Sequence, residues 1–131
     1  MSNQHEVEFV RSFIISEKQE RYLSLLKNKK GRLKIRFGFN HRNDLNPTYA
    51  TLIPKNLQSV DSVERLLKKK GASNDCYVLS SNSNTNEEFM ALDNALEETL
   101  GKGMGTLISC IPGKLAYFEL EDINEKYILE R

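Results

Sequence analysis

A chain of 131 residues, 39% hydrophobic and 28% charged, has the size and mix of a domain that buries its own core, far from the composition of disordered chains. Its apolar runs, such as Phe13-Ile14-Ile15 and Ala116-Tyr117-Phe118, are a few residues long against the roughly 20 that a membrane helix needs. Residues 1–10 carry Glu6 and Glu8 where a secretory signal has a cationic start and an apolar stretch, so the expectation is one cytoplasmic domain over residues 1–131 with no membrane partner.

In chain order, the segment from Val7 to Ile15 fits a helical turn better than a strand. Ser16-Glu17-Lys18-Gln19 has the pattern of a capping box, and Tyr22, Leu23, Leu25 and Leu26 follow at helical spacing. After Gly31, the residues Leu33, Ile35, Phe37 and Phe39 alternate with Arg32, Lys34, Arg36 and Gly38. That period of two predicts a strand over residues 33–39, with a doubly buried helix as the competitor.

Asn46-Pro47 predicts a single helical turn that Pro54 keeps short. Ser59 caps a helix whose stripe is Val60, Val63, Leu66 and Leu67; Lys68, Lys69 and Lys70 complement its negative end and Gly71 stops it. Cys76 to Leu79 reads as a buried strand, and the polar tract from Ser80 to Asn86 as a surface loop. Phe89, Leu92, Leu96 and Leu100 predict a third helix ending at Gly101. Residues 106–111, 115–120 and 127–129, separated by Pro112-Gly113 and a polar turn at 122–125, predict an antiparallel meander. The fold expected is α+β, with helices packed on one face of a mainly antiparallel sheet.

The net charge of +1 conceals a division: residues 1–72 hold 15 Lys or Arg against 7 Asp or Glu, net +8, and residues 73–131 hold 4 against 11, net −7. The densest cations are Lys27, Lys29, Lys30, Arg32, Lys34 and Arg36, followed by Lys68, Lys69 and Lys70. On a strand, Arg32, Lys34 and Arg36 would form a row at roughly 7 Å spacing, comparable with phosphates along one nucleic-acid strand. The plainer reading is that these charges solvate an open surface, and no exposed aromatic is predicted beside them for base stacking.

His41 and Asp44 are the candidate general base and its orienter, with no nucleophile in a recognisable context nearby. Gly101-Lys102-Gly103-Met104-Gly105 has the composition of a phosphate-cradling loop but runs from helix to strand, the reverse of such loops; a helix stop is the simpler role and an anion nest the alternative. Glu119, Glu121, Asp122 and Glu125 read as solvation of a hairpin. Cys76 and Cys110 read as reduced structural thiols, a cross-strand disulfide being the rival, and neither has metal-ligand spacing.

No metal or cofactor is expected. The first functional reading is a non-enzymatic binding or regulatory module. Its anion-binding candidates are Lys29, Lys30, Arg32, Lys34, Arg36, Lys68, Lys69 and Lys70, facing an acidic protein or a nucleic-acid backbone. A small hydrolase or nuclease using His41 and Asp44 is the second, and a homo-oligomeric interaction protein the third.

Overall fold

Asn3 and Glu6 start the first helix by satisfying each other's backbone: Glu6 N–H donates to Asn3 Oδ1 at 3.0 Å, and Asn3 N–H donates to Glu6 Oε1 at 3.2 Å. The computed structural model describes residues 3–36, 44–120 and 125–131, and places α1 at Gln4–Phe13 and α2 at Ser16–Leu25. The capping box expected at Ser16 is absent, because Ile15 occupies the cap position and Ser16 already lies inside the helix. Gln19 instead donates its amide N–H to Ile14 O at 2.9 Å, joining the start of α2 to the end of α1.

The strand expected over residues 33–39 is corrected as far as Arg36, since Lys29–Arg36 is a helix, α3; residues 37–39 lie outside the described residues. Asn28 caps it, its Oδ1 accepting from Gly31 N–H at 2.7 Å. Gly31 does not interrupt the chain but lets α3 cross α2, because a Cβ there would sit 2.2 Å from Leu25 O. Only one side of α3 is buried, through Gly31 and Ile35 four residues apart, while Leu33 is 46% exposed. The apparent alternation therefore joins residues from different sides of a helix.

Asn46 caps a single 3-10 turn at Pro47–Tyr49, as its sequence predicts, and the chain then enters a strand that no local signal announces, β1 (Ala50–Leu52). The expected helix appears as α4 (Val60–Lys69), with Ser59 Oγ accepting from Ser62 N–H at 3.1 Å and Val63 and Leu67 fully buried. Truncating Leu67 to Ala would cost about 2–5 kcal/mol, the usual loss for a buried Leu. Next come β2 (Asp75–Ser80), β3 (Glu88–Ala91), α5 (Leu92–Thr99), β4 (Thr106–Ile111), β5 (Leu115–Glu119) and β6 (Lys126–Glu130). The helix expected from Phe89 onward is thus shortened: Phe89 belongs to β3, paired with Tyr77 of β2, and the helix begins at Leu92.

The six strands of the described residues form one antiparallel sheet in the order β1-β6-β5-β4-β2-β3, with β4, β5 and β6 as the expected meander. Helices cover both of its faces, whereas the sequence pattern predicts one. On the first face Phe9, Phe13, Leu26 and Ile35 from α1 to α3 pack on Tyr77, Leu79, Leu107 and Phe118. On the second, Val63 and Leu67 of α4 and Leu92 and Leu96 of α5 pack on Val78, Ile108, Tyr117 and Ile128. The cause is legible in β2, β4 and β5, whose consecutive buried residues send apolar side chains to both sides.

Candidate functional site

The turn between α2 and α3 concentrates positive charge. Leu26 N–H bonds to Tyr22 O at 3.0 Å and Lys27 N–H to Ser24 O at 3.2 Å, so α2 closes tightly and Asn28 immediately caps α3. This leaves Lys27, Lys29, Lys30 and Lys34 exposed around the hairpin, and none of them meets a carboxylate at salt-bridge distance among the described residues. Lys18 and Arg21 of α2 are exposed as well.

Arg32 has a different environment. Its Nε donates to Glu87 Oε2 at 3.0 Å, its Nη1 to Glu6 Oε1 at 3.1 Å and to Leu26 O at 2.9 Å, and its Nη2 to Glu6 Oε2. These bonds, first of all those to Glu6, hold the guanidinium in its charged form. Glu6, 1% exposed, also accepts from the Tyr77 hydroxyl. Arg32 is therefore a structural cation that pins α3 to α1 and to the loop before β3. The row of Arg32, Lys34 and Arg36 along a strand does not exist, and the side chain of Arg36 lies outside the described residues.

Lys68, Lys69 and Lys70 close α4 on the opposite face of the sheet from α3, so the two cationic groups share no surface. Among the described residues two of the three have partners: Lys70 Nζ meets Glu130 Oε1 at 2.7 Å, and Lys68 meets Glu64 at 3.9 Å and the Asn74 side chain.

Two clefts flank the α2–α3 hairpin. One of about 400 Å³ is lined by Lys27, Lys29, Arg32, Leu33, Asn86 and Glu87. The other, about 260 Å³, has Lys18, Arg21 and Lys34 at its rim around Tyr22 and Asp44. There the Tyr22 hydroxyl donates to Asp44 Oδ2 at 2.5 Å; burial and that carboxylate push the phenol well above its ordinary range. The pairing expected between Asp44 and His41 lies outside the described residues.

The glycine loop after α5 does hold an anion, but one supplied by the chain itself. Gly101, at φ +74°, donates its N–H to both carboxylate oxygens of Glu119, at 3.0 and 3.1 Å, and the Tyr117 hydroxyl donates to Oε1 at 2.6 Å. Glu119 is fully buried, with Lys126 opposite it in the β5–β6 register, which corrects its expected role as a solvated hairpin carboxylate. Burial raises its pKa despite these donors.

Sequence reasoning misses His5. Its Nδ1 lies 2.7 Å from Ser109 Oγ, and its ring stacks on Tyr77 with centroids 5.6 Å apart. A histidine and a serine at hydrogen-bond distance suggest a dyad, but Ser109 is 2% exposed beneath α1, where no substrate reaches it. Desolvation lowers the imidazole pKa and favours the neutral ring. Cys76 and Cys110 are free, buried thiols, each pushed up to about 12 by burial. Among the described residues no group of three or more His, Cys, Asp or Glu could hold a metal, and no helix is long and apolar enough to cross a membrane.

The chain matches no protein-family model, no curated protein and no solved structure.

Proposed function

We propose that this protein is a non-enzymatic binding module whose α2–α3 hairpin docks an anionic partner. The observation that carries the reading is the exposed group Lys27, Lys29, Lys30 and Lys34, set at a capped turn and without carboxylate partners among the described residues. Such a group lowers the free energy of a nearby polyanion and releases its counterions on contact. The charge balance around the hairpin supports the reading, since Arg32 with Glu6 and Glu87 leaves one formal negative charge against four exposed lysines. The candidate residues narrow accordingly to Lys29, Lys30 and Lys34, extended by Lys27, with Arg32 holding the surface in place.

Retention on a heparin column tests this reading. Replacing Lys27, Lys29, Lys30 and Lys34 by Gln is expected to lower the eluting salt concentration sharply, and replacing Lys68, Lys69 and Lys70 by Gln to lower it little. Equal losses from the two sets, or no retention of the unaltered protein at low salt, would remove the hairpin as a binding surface.

A further inference from the structure

Phe89 is 65% exposed on β3, the strand that ends one side of the sheet. Its ring is braced from within, with its centroid 4.7 Å from that of Tyr77 and 5.7 Å from that of His5. One side of the ring is therefore fixed by packing while most of the residue faces water. Ordered aromatics of this kind lose little freedom when a second planar group lies against them.

Contacts lead from this ring to the cationic cleft. Tyr77 donates to Glu6, Glu6 pairs with Arg32, and Arg32 holds Glu87, two residues before Phe89. Phe89, paired with Tyr77, projects on the same face of the sheet as α3. The cleft of about 400 Å³ is within the size range of ligand pockets and carries Lys27 and Lys29 at its rim. Glu87 lines it too, sharing Arg32 with Glu6, so one formal negative charge stands there against the two lysines; Glu88, in register with Val78, belongs to the other face.

We propose that this edge binds single-stranded nucleic acid, one base stacking on Phe89 while Lys27 and Lys29 contact backbone phosphates. The inference rests on the anionic-partner reading above and gives that partner a chemistry. A duplex keeps its bases stacked inside and has no use for Phe89, whereas an unpaired strand offers both phosphates and free ring faces, whatever its sequence. An acidic protein would satisfy the lysines alone.

The chain has no tryptophan, so Phe89→Trp creates a single fluorescent reporter at the platform. Adding oligothymidylate should quench it. Phe89→Ala should weaken binding roughly 5- to 150-fold, the loss for one stacked base, with the salt slope unchanged. Lys27→Gln with Lys29→Gln should keep the quenching but flatten the slope of log K against log salt by about 0.7 per lysine. If the unaltered protein binds oligothymidylate and Phe89→Ala binds it equally well, the stacking proposal is overturned while the anionic-partner reading stands. Preference for duplex DNA or poly-glutamate overturns it in the same way. So does self-association through β3 that hides the introduced indole from oligothymidylate. Binding to none of these polymers at low salt overturns both.

Discussion

Arg32 of α3 and Glu6 of α1 form a two-pronged ion pair, Nη1 to Oε1 at 3.1 Å and Nη2 to Oε2, with the carboxylate buried beneath it. Taking one partner away would leave the other charge in a poorly solvated place, a loss larger than the net worth of the pair itself. Arg32→Met is therefore expected to destabilise the fold by about 3–5 kcal/mol in urea unfolding. The double variant with Glu6→Gln should lose less than the sum of the two single variants, because the uncompensated charge is gone. A loss under about 1 kcal/mol for Arg32→Met, as for an exposed surface pair, would show that the pair does not anchor α3.

Glu119 predicts a distinctive pH dependence. Burial raises its folded pKa, so the neutral carboxyl is favoured in the fold relative to the unfolded chain. Its contribution to stability is complete below the ordinary carboxylate range, near about 4.3, and is lost as pH rises through the raised folded value. Glu119→Gln keeps an oxygen for Gly101 N–H and the Tyr117 hydroxyl but cannot ionise. Unfolding free energies measured across this window should fall more steeply with pH for the unaltered protein than for the variant. Parallel curves would show that Glu119 does not carry the slope.

His5 titrates in the opposite sense. Desolvation lowers its folded pKa, so the stability it contributes is present above its unfolded pKa of about 6.5 and is lost as pH falls through the folded value. NMR titration of the imidazole should give a midpoint below that of a free histidine. A midpoint at or above the free value would be inconsistent with a ring held between Tyr77, Phe89 and Ser109.

The thiols of Cys76 and Cys110 should be inert in the native protein. They lie on adjacent strands, one step beyond the Tyr77–Ser109 pair, and burial pushes both up to about 12, leaving almost no thiolate at neutral pH. Ellman's reagent should report two thiols only after denaturation. Rapid native labelling would contradict their burial.

The parts of the fold that sequence reveals are those whose signals are local. Ser59, the stripe through Val63 and Leu67, the three lysines and Gly71 lie within one short segment, and α4 follows from them. The meander from Thr106 to Glu130 likewise announces itself through turns and apolar runs. The start of α3 at Asn28 is hidden in the sequence by the alternation that follows Gly31, and the side that α3 buries depends on where Gly31 meets Leu25, a contact no periodicity encodes. β3 is a strand because β2 is there to pair with it, and in the sequence Phe89 merges with the stripe of the helix that follows.

The candidate site shows the same division. The density of cations after Lys27 is plain from the chain, while the choice of Arg32 as the one bound internally depends on Glu6 and Glu87, 26 and 55 residues away. The His5–Ser109 contact spans 104 residues and leaves no local trace.

Amide chemical-shift mapping tests the central claim most directly, because it shows where a polyanion sits as well as whether it binds. Titration with oligothymidylate at low salt is predicted to perturb amides of Lys27 to Lys34 and of Glu87 to Phe89, and to leave those of Lys68 to Lys70 in place. Perturbations centred on the end of α4 would contradict the assignment of the α2–α3 hairpin as the docking surface.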